Sequence, residues 1–263
     1  MFKLRDWIDK EKIDWSWLSM NPAAIHILEQ NLDKVHWGWM SQNPAAIHLL
    51  ERYPQKCWTW LSQNPEAIHL LKKYPKKIDW CELSLNPSAI HLLEQHSEKI
   101  SWFLLSKNPA AIHLLEKHPQ KINWNNLSEN PTAIHLLEQY PEKINWSHLS
   151  INPNAIHLLE KNLQKISWCI LSMNLSAIHL LEQHPEKIDW FYLSQNPAAI
   201  HLLEQHPEKI DWNRLFFNPA IFIYDYFTMK KSKIVLHEEL IQKMFHPKNI
   251  KKFYDWGFDV GLE

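Results

Sequence analysis

The feature that constrains this chain most is a period. Tryptophan recurs at positions 15, 37, 58, 80, 102, 124, 146, 168, 190 and 212, and asparagine at 21, 43, 64, 86, 108, 130, 152, 174, 196 and 218, a spacing of 22 residues with one step of 21. A unit that short cannot bury an apolar face by itself and must stack on its neighbours, so the period predicts a tandem-repeat fold.

The repeating text, NPxAIHLLEQxPEKIDWxxLSx, specifies two short helices. Asn before Pro is a helix start: the Asn side chain accepts an early backbone N–H, and Pro at the first helical position has the required φ and no N–H to orphan. In AIHLLEQ, Ala199, Ile200, Leu202 and Leu203 gather on one face and His201 lies opposite. Pro207 and its equivalents disfavour helix at the residue before, ending the element. The residue before each Trp is a good cap at 14, 79, 101, 123, 145, 167, 189 and 211, with His36 as the exception. DWxxLS therefore predicts a second helix of about one to two turns that buries Trp and Leu and exposes the two residues between them. In the 21-residue step KCW replaces KIDW, so Cys57 stands in for Ile, the cap is lost and local irregularity is expected.

With 3 glycines among 263 residues and no alternating strand pattern, a β-solenoid is disfavoured. The expected fold is all-α, an α-solenoid of about ten 22-residue two-helix repeats: a helical N-terminal cap at 1–11, repeats over 12–223 and a helical C-terminal cap at 224–263. Helix packing at ~8 to 10 Å makes ten stacked units a curved rod on the order of 90 Å long.

Three recurring columns invite chemistry. One His per unit, from His26 to His201, suggests a metal ladder, but successive members stand a helix spacing apart while a zinc ion needs imidazoles converging at ~2.0 to 2.1 Å, so no metal site is assigned. The lysine column from Lys12 to Lys209 invites phosphate tracking, yet it alternates with glutamates and reads as a solvated surface. Serine recurs with His and Glu in every unit, whereas a catalytic triad is a single constellation, so no enzyme and no cofactor are expected. Positions that vary are free for recognition. They are the residues after each Trp, in particular Trp17, Trp39, Trp60, Glu82, Leu104, Asn126, His148, Tyr192 and Arg214, and the residue after each Leu-Ser; Trp17, Trp39 and Trp60 are expected to form an aromatic ridge, packed against Phe2 and Trp7 or open to a protein partner.

The net charge of −1 supplies no field toward nucleic acid or an anionic membrane. Three cysteines without CxxC spacing fit buried thiols in a reducing compartment better than a disulfide framework. No stretch has the ~20 apolar residues of a membrane span, and the N-terminal text lacks a signal-peptide core. The unit KIDWxxLSxNPxAIHLLE, followed by EELIQKMFHPKNIKKFYDWGFD, resembles the short tandem repeats and endings of proteins from giant nucleocytoplasmic large DNA viruses, over almost the whole chain. Leu175, where Pro is expected, and the KCW unit depart from that pattern and are expected to distort their repeats. The resemblance implies a viral protein of the host cytoplasm or the virion and carries no catalytic residue. The expected function is a non-enzymatic protein-interaction scaffold, the alternatives being a structural virion or assembly component with self-association, or single-stranded nucleic-acid binding.

Overall fold

The computed structural model describes residues 2–56, 58–227, 229–231 and 233. Two units are present: Asp6–Ile221, which contains the ten repeats, and a smaller one joining the residues before Asp6 to those after Ile221.

Each repeat follows the sequence logic closely. Repeat 5 runs through an α-helix Trp102–Leu105, a 3-10 turn Pro109–Ala111, an α-helix Ile112–Lys117 and a second 3-10 turn Pro119–Lys121. Proline thus both ends one helix and opens a new turn, which gives each repeat more short elements than two helices. In all ten repeats the Asn Oδ1 accepts the backbone N–H two residues on, at 2.9–3.0 Å. His36, the expected exception among the second caps, does cap: its Nδ1 accepts the N–H of Trp39 at 3.1 Å. The shortened repeat is irregular as expected, with only a 3-10 turn, Leu61–Gln63, where the others have an α-helix. Leu175 distorts nothing, because Asn174 still caps and the helix Ile178–Gln183 is intact. Cys57 lies outside the described residues.

What joins one repeat to the next is a polar ladder through the core. The Asn side chains are buried, and each Nδ2 donates to two carbonyls of the preceding repeat: Asn108 to Ser84 and Asn86, Asn130 to Ser106 and Asn108, at 2.9–3.1 Å. Beside it each buried Ser Oγ accepts a backbone N–H of the next repeat, from the cap residue as Ser106 does from Asn123 at 3.0 Å or, in the shortened repeat, from Trp60 to Ser41 at 3.2 Å. Every polar atom of the Asn side chain is therefore satisfied, which a buried amide requires. Around the ladder sit the fully buried Leu of WxxLS, the Ala of NPxA and the second Leu of HLL.

The open rod is corrected. Asn21 of repeat 1 donates to Phe216 and Asn218 of repeat 10 at 3.0 and 3.1 Å, the same bond pair that every other Asn makes to its predecessor. Trp17 packs edge-on to Phe217, with ring centroids 6.3 Å apart, and Lys12 lies 4.3 Å from the centre of the Trp212 ring. The ten repeats close on themselves. The cause is a wedge-shaped unit: along the Asn ladder neighbouring backbones approach to hydrogen-bonding distance, while helices on the broad side are held ~8 to 10 Å apart by their side chains. Ten such steps complete a turn at roughly 36° each (360°/10), and the ends cap each other in place of separate capping repeats.

In the smaller unit, β1 (Phe2–Leu4) pairs antiparallel with β2 (Phe222–Tyr224), Lys3 opposite Ile223. The expected helical N-terminal cap is thus a strand at 2–4, where Phe2 on one segment and Phe222, Ile223 and Tyr224 on the other are types that suit a two-stranded ladder. The two helices expected beyond residue 233 lie outside the described residues.

Candidate functional site

The variable residues share one helix face. Counting Trp as position 1 of WxxLSx, positions 2, 3 and 6 fall within an arc of about 100° on the WxxLSx helices, opposite the buried Leu and Ser. Position 2 is exposed at Phe103, Asn125, Ser147, Phe191 and Asn213, and so are the thiols of Cys81 and Cys169. The expectation of buried thiols is corrected for these two cysteines, since neither lies on the apolar side of its helix.

Position 3, expected to be exposed as well, is not. Trp17, Trp39, Trp60, Glu82, Leu104, His148, Tyr192 and Arg214 are half-buried, and Asn126 is buried. The reason is a cross-repeat pairing: position 3 of one repeat meets position 6 of the repeat before it. Glu82 bonds Gln63, His148 Nδ1 bonds Glu129, Arg214 donates to Gln195 at 2.9 Å, and Trp17 meets Phe217 across the closing interface. Pairs at the same two positions elsewhere match in chemistry, Leu104 with Leu85 and Ile170 with Ile151. The aromatic ridge exists, but its rings pack on one another, Trp17 to Trp39 at 4.6 Å and Trp39 to Trp60 at 6.2 Å. Lys107 also reaches Glu129, at 2.6 Å, so Glu129 is clasped between Lys107 and His148 beside a small cavity that Ile151, Ile170 and Met173 help to line.

Where position 6 meets the turns that follow Asn, a larger hollow opens. Its volume is about 500 Å³, and its walls are Pro22, Pro153, Pro197 and Pro219 with Ile151, Met173, Leu175 and Phe217; Gln195 is the one polar member. These residues come from the consecutive repeats 7 to 10 and, through Pro22, from repeat 1, so closure supplies the last part of the wall. Leu175, 52% exposed, stands at its edge. The sequence held a signal for this hollow, four prolines and a leucine in one column next to Ile, Met and Phe at position 6, but nothing in a single repeat brings units 1 and 7 together.

The recurring columns serve the structure. In seven interfaces the His Nε2 meets the Glu of the preceding repeat at 2.5–3.2 Å, as His135 does with Glu116. Repeat 3 has Lys72 at the Glu position. These partners are about half exposed, so each pair stabilises by ~0 to 1 kcal/mol. Eight of the lysines lie over the Trp ring of the preceding repeat, as Lys99 over Trp80 at 4.4 Å and Lys121 over Trp102 at 4.6 Å. Seven of the rings also meet, edge-on, the His or Tyr that ends the second helix, as Trp80 meets His96 at 4.8 Å and Trp124 meets Tyr140 at 5.3 Å. No group of three or more His, Cys, Asp or Glu among the described residues is placed to hold a metal ion, and no helix among them is long and apolar enough to cross a membrane.

No family model matches the chain, and neither a curated protein nor a solved structure is significantly similar to it.

Proposed function

We propose that this protein is a non-enzymatic binding scaffold that takes an apolar segment of a protein partner into the hollow of the closed repeats. The observation that carries the reading is the chemistry of the hollow: about 500 Å³ walled by prolines and by Ile151, Met173, Leu175 and Phe217, with Gln195 to orient a polar backbone group. Around it lie the position 3 residues, Trp17, Tyr192 and Arg214 nearest the closing interface, types that dominate binding energy where proteins meet. Single-stranded nucleic acid is a weaker reading, because eight lysines of the basic column are engaged with Trp rings. A viral origin, with action in a host cell or virion, is supported by the repeat text alone.

The test uses Leu175→Asp, which sets a charge at the mouth of the hollow at an already exposed position and so leaves the fold intact. A protein retained by the wild-type chain, purified and titrated by calorimetry, is expected to lose at least tenfold in affinity for Leu175→Asp and to keep it for the distant exposed control Glu66→Ala. Retention unaffected by Leu175→Asp, or binding that falls steeply with salt and requires nucleic acid, overturns the reading.

A further inference from the structure

We propose that the exposed position 2 column is a self-association face on which a second copy of this chain docks about a two-fold axis. The column, not the hollow, carries this inference, so it stands or falls separately from the function proposed above. Starting at repeat 4, position 2 reads Cys81, Phe103, Asn125, Ser147 and then Cys169, Phe191, Asn213 and, across the closing interface, Ser16. The same four residue types occur twice in the same order. The half-buried neighbours do not follow: positions 3 and 6 differ between the two runs in all eight comparisons, Glu82 against Ile170 and Leu85 against Met173 being the first two.

Packing explains the half-buried positions one interface at a time, through the pairing of position 3 with position 6. Position 2 is less constrained: Arg214 lies over the Phe191 ring at 4.2 Å and Asn125 Oδ1 accepts from Asn145 Nδ2 at 2.9 Å, yet Phe103 stays 57% and Phe191 45% exposed. Identity at position 2 alone, twice over, is what a surface requirement produces, and two large rings left about half exposed, Phe191 even with Arg214 over it, mark that surface as one that is covered.

A second copy meets the requirement. An isologous interface sets residue i on j and j on i. A two-fold axis across the ring of repeats reverses the direction of travel, so Cys-Phe-Asn on one copy runs against Asn-Phe-Cys on the other. With the axis at Ser147, Phe103 meets Phe191 of the second copy, Cys81 meets Asn213 and Asn125 meets Cys169, each contact occurring twice. Aromatic edges meet aromatic faces, and each thiol, a weak donor, meets an amide oxygen. The rest of the column is small, Ser16 opposite Thr59 and Gly38 opposite its own copy. A net charge of −1 adds little repulsion between copies.

The experiment is sedimentation of the full chain over a micromolar concentration series, with cross-linking to fix the register. The wild type is expected at twice the chain mass. Phe103→Ser with Phe191→Ser, both at exposed sites and checked for retained helicity, is expected to raise the dissociation constant at least tenfold. A short bismaleimide is expected to join Cys81 of one copy to the thiol introduced by Asn213→Cys in another. A wild-type chain that stays monomeric, a dimer indifferent to the double substitution, or a dimer in which Cys81 couples to Cys169 instead overturns the proposal.

Discussion

Nine interfaces join consecutive repeats, and a tenth joins the last to the first. They share the Asn ladder: Asn21 makes to Phe216 and Asn218 the bonds that Asn108 makes to Ser84 and Asn86. They differ beside it. In each of the nine a buried Ser Oγ accepts a backbone N–H of the next repeat, from the cap residue in eight and from Trp60 in the shortened one, whereas the closing interface has Phe216 at that position, fully buried. Phe217 next to it fills position 6 and meets Trp17. The internal interfaces gain specificity from a hydrogen bond between segments the chain already holds adjacent. The closing one must bring together repeats nearly 200 residues apart, and it replaces that bond with buried aromatic area, which is large and not directional.

The comparison is broken most severely at the ladder. Asn108→Ala leaves two buried carbonyls without their donor and removes a cap, an expected loss of about 2 to 5 kcal/mol in chemical denaturation. Because closure makes Asn21 equivalent, Asn21→Ala is expected to cost the same to within ~1 kcal/mol. In an open rod it would cost only the cap, about 1 kcal/mol.

Next is the seam residue itself. Phe216→Ser restores the hydroxyl that the internal interfaces use, and is nevertheless expected to destabilise by about 3 kcal/mol, since the hole left by the ring outweighs one recovered hydrogen bond. The converse, Ser106→Phe, overpacks an interface shaped for a hydroxyl and strands the Asn123 N–H, and is also expected to destabilise. A neutral Phe216→Ser would show that the seam does not depend on aromatic bulk.

The smallest effects lie on the surface ladders. Lys12→Ala at the seam and Lys121→Ala inside the array each remove one cation–π contact and are expected to lower stability by about 0.5 to 1 kcal/mol, equally, by thermal denaturation. His135→Ala is expected to lie below ~1 kcal/mol, its pair with Glu116 being about half exposed.

Much of a single repeat was legible in its letters. Asn-Pro announced a cap, Leu a buried stripe and KCW an irregular unit, and the structure has each of them, whereas the repeat Trp, expected to be buried, is only half-buried. Closure was not legible, because the turn per repeat depends on how far apart two ladders sit, and neither spacing is written in a unit read alone. The Asn side chain illustrates the gap: its cap role is local, while its two donors act on the neighbouring repeat. One clue was present, Leu-Phe-Phe-Asn in repeat 10 where nine repeats have Ser before the variable residue. For the candidate site, the pattern located the variable face but missed that position 3 is claimed by position 6 of the previous repeat, which a helical wheel of one unit cannot display.

Closure is tested most directly by a distance. Spin labels introduced by Glu11→Cys and Glu208→Cys, at exposed and corresponding positions of repeats 1 and 10, are expected in double electron–electron resonance to give the separation measured for Glu186→Cys with Glu208→Cys in adjacent repeats 9 and 10. A Glu11–Glu208 distance several times that of the neighbouring pair would contradict the closed array and restore the open rod.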